Sequence, residues 1–241
     1  MSPDRRRHRG AHPEDERLFA PGRLGALRVA AGELSWLLGR GYQPKSALKL
    51  VGDRHDLRER QRLAVARSAC SDERRARRLA RELKADAVRG AALIVDGFNL
   101  VITLEAALSG GVLVVCRDGC VRDLSSVHGS YRAVEETERA VVLAGETLAA
   151  LGHASALWLF DRPVSNSGRI SERVRAIAGE RGWPWEVRAE FNPDRDIIDS
   201  PRIAVTADSN VLDHAARWLN LSRLIVERDI QSPWLIDLDV P

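Results

Sequence analysis

The 241-residue chain is long enough to bury a sizeable hydrophobic core in one or two domains. Its 44% hydrophobic and 29% charged residues are typical of a globular protein and exclude a largely disordered one. No apolar run approaches the roughly 20 residues that a membrane span requires, and the polar, Arg-rich N-terminus lacks the apolar segment of a secretory signal. We therefore expect a cytoplasmic protein with no membrane partner. The three cysteines form neither a disulfide framework nor a zinc motif and are expected to be reduced.

The net charge of +3 conceals two parts of opposite sign. Residues 1–90 hold 22 Lys and Arg against 12 Asp and Glu, whereas residues 91–241 hold 15 against 22. This division is expected if the first part attracts a polyanion and the second gathers carboxylates around a metal ion. The alternative is that arginines simply cover the helix surfaces of the first part.

The first part of the chain is predicted to be helical after a disordered start. Residues 1–22 show no hydrophobic periodicity and are predicted to form a disordered basic arm. Residues 23–90 are predicted to form a small, basic, all-helical module, because apolar residues recur every three or four positions from Leu24 onward. Its last helix, predicted over 72–88, carries the most arginines, and its cationic ridge is a candidate to lie along a nucleic-acid backbone. No pattern in the module specifies base recognition.

From Ala91 onward, strands alternate with helices, which indicates a parallel sheet with helices on both faces. The predicted strands lie at 91–96, 112–117, 156–161, 185–190, 202–207 and 223–227, with a further edge strand from Trp234 to Leu238. The predicted helices lie at about 100–109, 132–151, 168–181 and 209–219. The predicted fold class is thus an α/β, Rossmann-like domain over residues 91–241, with a boundary near residue 90.

Four predicted strands end at or near an aspartate: Asp96, Asp118, Asp161 and Asp208. Because the carboxyl ends of parallel strands share one edge of a sheet, these side chains are expected to converge. Clustered carboxylates raise one another's pKa unless a cation neutralises them, and hard oxygen ligands without a His or Cys set favour Mg²⁺ or Mn²⁺. These four aspartates are therefore the predicted catalytic and metal-binding residues. The alternative is that they only cap helices at strand–helix junctions.

Polar and basic groups in nearby loops are candidates to bind a phosphate. The turn after strand 156–161 enters a helix through small polar residues, whose backbone N–H groups suit an oxyanion. The long loop 117–132 brings cations beside the predicted acidic edge. The predicted substrate-binding residues are Asn99, Arg122, His128, Arg132, Ser165, Asn166, Ser167 and Arg169. The roles of Glu135, Glu136 and Asp229 stay open.

Two motifs carry a resemblance to a known superfamily. Asp96-Gly97-Phe98-Asn99 ends the first strand of the α/β part, and Thr206-Ala207-Asp208-Ser209-Asn210 opens a late helix. Together with an acidic helix between them, these motifs resemble the PIN-like nuclease superfamily, particularly its NYN branch. The resemblance implies a PIN-like α/β domain that cleaves RNA with Mg²⁺ or Mn²⁺. By motif, Asp96 matches the first-strand acid, Asn99 the nearby polar residue, Asp208 the acid of the T-x-D turn, and Asp229 a further acid.

Residues 33–70 resemble the helical module of an uncharacterised prokaryotic domain family. That resemblance implies no activity.

The leading hypothesis is a metal-dependent ribonuclease or phosphodiesterase acting on RNA, whose acidic sheet edge holds the metal and whose basic helices hold the backbone. The first alternative is an enzyme that processes a nucleotide or small phosphoester, with Ser165–Arg169 as the phosphate cradle. The second is a non-catalytic RNA- or DNA-binding protein with a degenerate nuclease domain. The sequence leaves the metal count and the oligomeric state open.

Overall fold

The structure is a computed structural model that describes residues 8–125 and 129–239. Its helices are α1 Asp15–Leu18, α2 Pro21–Gly39, α3 Pro44–Arg54, α4 Glu59–Ser68, α5 Asp72–Arg81, α6 Gly97–Leu108, α7 Thr137–Leu151, α8 Ser167–Arg181, α9 Pro193–Ile198, α10 Ser209–His214 and α11 Leu221–Asp229. Its strands are β1 Glu82–Leu83, β2 Ala92–Asp96, β3 Leu113–Val115, β4 Val121–Asp123, β5 Ser155–Asp161, β6 Trp185–Glu190, β7 Ile203–Val205, β8 Trp218–Leu219 and β9 Leu235–Asp237.

The main sheet has six parallel strands in the order β1-β8-β7-β2-β5-β6. β2 lies inside the sheet, where Ile94 pairs with Leu157 of β5 and Ala204 of β7. Leu93 and Val95 point to the core beneath α6, α7, α8 and α11, whereas Ile94 points to the core beneath α9 and α10. The predicted α/β class, a parallel sheet flanked by helices, is confirmed.

The junction between β2 and α6 is unusually tight. Asp96 caps α6, because its side chain accepts a hydrogen bond from the backbone N–H of Asn99. A Cβ atom on Gly97 would lie 2.5 Å from the ring of Phe160 and 2.8 Å from the carbonyl oxygen of Leu159. Glycine is therefore needed here so that α6 can begin directly against β5.

A second, three-stranded sheet has the order β4-β3-β9. β3 pairs antiparallel with β4 and parallel with β9. The predicted strand 112–117 thus forms β3 of this small sheet and is absent from the main one. The predicted edge strand near residue 236 is β9.

The N-terminal helices pack on one face of the small sheet. Their shared core includes Leu27 and Val65 from α2 and α4, and Val114 and Ile236 from β3 and β9. The helical segment also continues into the main sheet, because β1 pairs with β8. Packing therefore crosses the predicted boundary near residue 90.

Several sequence expectations are wrong in detail. Residues 223–227, predicted as a strand, lie in α11, whose buried Leu221, Ile225 and Val226 follow a helical spacing. The helices predicted over 72–88 and 209–219 end earlier, at Arg81 and His214. The short strands β1 and β8 follow them.

The predicted disordered arm is also wrong for residues 8–22, which include α1 and the beginning of α2. Asp15 is completely buried there and pairs with Arg60 of α4. Residues 1–7 lie outside the described ranges.

No helix in the described ranges is long and apolar enough to cross a membrane.

Candidate active site

A cavity of about 340 Å³ opens at the carboxyl edge of the main sheet. It is lined by Arg67, Asp96, Phe98, Asn99, Ile102, Asp123, Ser125, Asp161, Val164, Asp194 and Asp208. Four of these aspartates come from the ends of β2 and β5, from α9, and from the turn before α10. We call Asp96, Asp161, Asp194 and Asp208 the acidic cluster.

Asp96 is the most deeply buried member of the acidic cluster, with 8% of its surface exposed. One of its carboxylate oxygens accepts the Thr206 hydroxyl at 2.8 Å, and the other accepts the backbone N–H of Asn99 at 3.3 Å. The Oδ1 atom of Asn99 accepts the backbone N–H of Ala207 at 2.8 Å. The Asp96–Asn99 motif and the Thr206–Asp208 motif are therefore bound directly to each other.

Asp208 is positioned by its own helix. Its Oδ1 atom accepts the backbone N–H groups of Asn210 at 2.8 Å and Val211 at 3.1 Å, so it is the N-cap of α10. Its backbone N–H donates to the Thr206 hydroxyl at 2.9 Å. The predicted alternative of helix capping thus holds for both Asp96 and Asp208. Capping occupies lone pairs of one oxygen in each carboxylate and leaves other lone pairs for a ligand.

The acidic cluster is electrostatically strained. Burial, followed by the charge of Asp208, raises the pKa of Asp96 to about 7. The pKa of Asp161 is raised by burial and by Asp208, and the pKa of Asp194 is raised by burial, Asp208 and Asp161. Neighbouring carboxylates therefore disfavour ionisation of Asp96, Asp161 and Asp194, and a bound cation would relieve the repulsion.

The donor set of the acidic cluster fits a hard divalent cation. Within the described ranges, no three acidic, His or Cys side chains are placed to hold one metal ion together. Mg²⁺ is usually bound through one or two carboxylates, with water and substrate phosphate completing its coordination shell. The oxygen atoms of the cluster suit that mode of binding, and the hydrogen bonds between the two motifs hold Asp96 and Asp208 in the same cavity.

Asp118 lies outside the cavity, contrary to the expected convergence. It follows β3 of the small sheet, so its position is not on the edge of the main sheet. It is completely buried, and its oxygens accept hydrogen bonds from Arg122 at 2.9 and 2.6 Å and from Arg78 at 2.6 Å. Burial opposes ionisation, but Arg122 and Arg78 outweigh it and lower the pKa of Asp118 to about 2. Asp118 and Arg122 therefore form a buried ion pair inside the fold.

The other predicted phosphate-binding residues are mostly occupied in shaping the turn after β5. The Asn166 side chain donates to the carbonyl of Tyr131 at 2.7 Å, and the Ser167 hydroxyl donates to the carbonyl of Arg162 at 3.2 Å. The backbone of Ser165 bridges to Ser130. This turn reaches the cavity through Val164.

Two predicted cations, Arg132 and Arg169, are exposed, whereas His128 lies outside the described ranges. Glu135 and Glu136 lie 3.9 and 2.7 Å from His8, and Asp229 pairs with Arg228. None of these three acids is among the residues that line the cavity.

Sequence reasoning missed Asp194. It lies on α9, a six-residue helix after β6 whose first residue is Pro193 and whose N-cap is Asn192. The Asn-Pro-Asp sequence after a strand was the available signal, because Asn at the cap and Pro at the first position mark a helix start. A helix start at the carboxyl edge of the sheet places an acid of its first turn beside the other strand ends.

The most basic helix, α5, is turned toward the rest of the molecule. Arg78 is 1% exposed and binds Asp118 and Asp213. Arg75 donates to the carbonyl of Arg117, and Arg81 donates to the carbonyls of Asp213 and Ala215. Arginines of α5 therefore bind this helix to the α/β part through ion pairs and hydrogen bonds.

Comparison with known proteins places the chain in a family without an assigned activity. The family described as "Domain of unknown function (DUF5616)" matches residues 85–224, which is more than half of the chain. The chain belongs to this family. The DUF5616 match includes every member of the acidic cluster and every residue of the cavity lining except Arg67.

A second family, described as "Protein of unknown function (DUF434)", matches residues 26–81. This match confirms the predicted resemblance of the helical part to an uncharacterised family. The PIN-like and NYN families are not among the matching families. The uncharacterized protein MJ0935 of Methanocaldococcus jannaschii is 29% identical over 189 residues, which cover 78% of this chain and 89% of that protein. No solved structure matches the chain.

Proposed function

We propose that the chain is a metal-dependent ribonuclease or related phosphodiesterase that acts on RNA with Mg²⁺ or Mn²⁺. The observation that carries this proposal is the acidic cluster, whose four carboxylates come from distant parts of the sequence and line one cavity. A cluster that raises the pKa of its own members is unfavourable to folding and is common at functional sites. The resemblance of the Asp96 and Asp208 motifs to PIN-like nucleases supports the same reaction.

The residues of the cavity divide into ligands and supports. A divalent ion held here would activate a water molecule and stabilise the charge that develops on the phosphate oxygens. Asp96 and Asp208 would bind the ion, and Asp161 and Asp194 would bind it or its water molecules. Thr206 and Asn99 hold Asp96 and the Asp208 turn in place. Asp118 and Arg122 have no part in this proposal.

Arg67 is the cavity residue best suited to bind a substrate phosphate. It lies on α4, donates to the carbonyl of Ser125 at 2.7 Å, and stands 3.9 Å from the carboxylate of Asp123. Arginine binds phosphate oxygens through paired N–H donors. In this arrangement α4 contributes one cation to the acidic cavity, and the helical part takes part in the site through Arg67.

Asp194 offers a sharp test, because a matched residue lies on the same helix. Asp194 lines the cavity, whereas Asp196 is two positions further along α9, is exposed and does not line it. We expect purified wild-type protein to cleave single-stranded RNA in the presence of Mn²⁺. We expect Asp194→Asn to lose about tenfold to a hundredfold in rate, as ligand-shell substitutions commonly do, and Asp196→Asn to keep the wild-type rate.

Three outcomes would contradict the proposal. Equal rates for wild type and Asp194→Asn would remove Asp194 from the reaction and contradict its assignment to the metal site. Turnover of a nucleotide without RNA cleavage would favour an enzyme acting on small phosphoesters. Salt-sensitive RNA binding with no metal dependence and no cleavage would favour a non-catalytic binding protein.

A further inference from the structure

Phe191 is an exposed aromatic residue at the same edge of the sheet as the acidic cluster. It is 71% exposed, more than any other large hydrophobic residue in the described ranges. The other strongly exposed ones all lie in the N-terminal helical part: Val29, Trp36, Leu50 and Leu79 on its helices and Tyr42 between α2 and α3. Phe191 is too exposed to belong to a hydrophobic core, so its role depends on the groups beside it.

Arg162 covers one face of the Phe191 ring. Its guanidinium carbon lies 4.7 Å from the ring centroid, a distance typical of a cation–π contact. Most of the Phe191 surface is nevertheless open to solvent, since the residue is 71% exposed. Within the part of the chain that the structure describes, Arg162 forms no ion pair, so its charge is available to an anion.

Phe191 and Arg162 are held by the backbone of the main sheet. Each residue directly follows its strand, Arg162 after β5 and Phe191 after β6. The last pair of the ladder joins Asp161 to Glu190, and the backbone N–H of Arg162 donates to the carbonyl of Glu190 at 2.7 Å. The backbones of Arg162 and Phe191 are therefore held next to each other, and their side chains are in contact without a ligand.

The same two segments supply half of the acidic cluster. Asp161 directly precedes Arg162, and Asp194 follows Phe191 by three residues. Both aspartates line the cavity. A strand of nucleic acid with a phosphate in the cavity would therefore have a neighbouring nucleotide within reach of the ring.

We propose that Phe191 and Arg162 form a stacking platform that binds one unpaired base beside the phosphate held in the acidic cavity. This inference rests on the proposed function and narrows its substrate to single-stranded nucleic acid. A base can stack on an aromatic face only when it is free of its own helix, and such stacking is tolerant of base identity. Arg162 supports the ring and offers its charge to the adjacent phosphate.

The test is binding of a short single-stranded RNA and of the matching duplex, measured by fluorescence anisotropy with Ca²⁺ in place of Mn²⁺, so that a cation can hold the phosphate without supporting rapid cleavage. We expect Phe191→Leu, which keeps an apolar side chain but lacks an aromatic face, to bind the single strand about tenfold more weakly than wild type. We expect Phe191→Trp to bind it at least as well as wild type. Duplex affinity should be the same for all three proteins.

A base analogue locates the contact. In a set of single strands carrying 2-aminopurine at successive positions, stacking should quench the fluorescence at one or two positions in wild type and not in Phe191→Leu. Trp36→Leu is the matched control, because Trp36 is 55% exposed, lies under Arg40 with 3.5 Å between the guanidinium carbon and the ring centroid, and does not line the acidic cavity. It should bind and quench as wild type does.

Two results would overturn the platform: Phe191→Leu binding as wild type does, or Trp36→Leu losing as much affinity as Phe191→Leu. Cleavage with Mn²⁺ separates this inference from the proposed function. If wild type cleaves RNA and Phe191→Leu matches it in binding, quenching and rate, only the platform is wrong. If wild type cleaves no RNA, the proposed function is wrong, and the binding and quenching measurements with Ca²⁺ still decide whether Phe191 stacks on a base.

Discussion

Asp96 and Asp118 have nearly the same sequence context, in which an aspartate follows a hydrophobic strand. Their pKa values nevertheless shift in opposite directions. Asp96 lies beside other carboxylates, and burial and Asp208 raise its pKa to about 7. Asp118 lies between two arginines, which overcome its burial and hold its pKa at about 2. The sign of the shift depends on which sheet the strand joins and on distant partners, so the strand pattern alone could not distinguish the two residues.

The shift at Asp96 predicts a pH-dependent stability. The pKa of an unfolded Asp is about 3.9, so between about pH 4 and pH 7 the folded protein binds a proton that the unfolded chain releases. Without metal, the free energy of unfolding should therefore fall as the pH rises through this window, by about 2 to 4 kcal/mol from Asp96. Urea unfolding in EDTA at pH 5 and pH 8 measures the change.

Asp96→Asn is the matching variant, because it removes the titration and keeps an oxygen acceptor for the Asn99 N–H. It should have a smaller loss of stability between pH 5 and pH 8 and should be more stable than wild type at pH 8. Equal pH dependence in the two proteins would contradict the electrostatic account of the acidic cluster.

At the scale of elements, α5 shows how a charge count can mislead. Its arginines suggest a nucleic-acid surface, yet Arg78 reaches from α5 to the loop after β3, through Asp118, and to α10, through Asp213. Composition records how many cations a helix has and not which way they point. Helix existence was predictable from periodicity, whereas the orientation of α5 depends on carboxylates 40 and 135 residues away.

Arg78 and its neighbour Arg77 give a matched pair for this network. Arg78→Ala should lower the free energy of unfolding by about 3 to 5 kcal/mol, because it removes one of the two arginines that neutralise buried Asp118 and the nearest arginine of Asp213. Arg77→Ala should change it by no more than about 0.5 kcal/mol, because Arg77 forms only a half-exposed pair with Glu73 on the same helix. Chemical denaturation of both variants measures the free energy of unfolding. Similar decreases in the two variants would show that Arg78 does not anchor α5 more strongly than Arg77 does.

At the scale of the whole molecule, the family matches and the folded units have different limits. The region shared with DUF5616 covers residues 85–224 and includes β3 and β4 but not β9. The helical part shared with DUF434 packs on β3 and β9. The pattern of apolar residues in the sequence revealed the change, near residue 90, from helices alone to strands that alternate with helices. It could not reveal the small sheet, because its strands are three residues long and β3 pairs with β9 across more than a hundred positions.

A fragment of residues 85–224 should therefore not fold as an independent domain. It would expose Val112, Val114 and Cys116, which are 0 to 1% exposed in the whole chain. We expect the fragment to bind a hydrophobic dye and to lack a cooperative thermal transition, whereas the full chain shows one. A cooperative transition in the fragment would indicate that the helical part is dispensable for folding.

The pairing of β3 with β9 also has a consequence for the order of events during synthesis. Leu113 pairs with Leu235, so the small sheet stays incomplete until β9 has been made. β4, on the other side of β3, carries Asp123 in the wall of the acidic cavity. Chains generally fold from the N-terminus as they are synthesised. Here the wall that holds Asp123 becomes stable only after β9 has been synthesised and has paired with β3. A nascent chain is therefore expected to carry all four members of the acidic cluster before it can close the cavity around them.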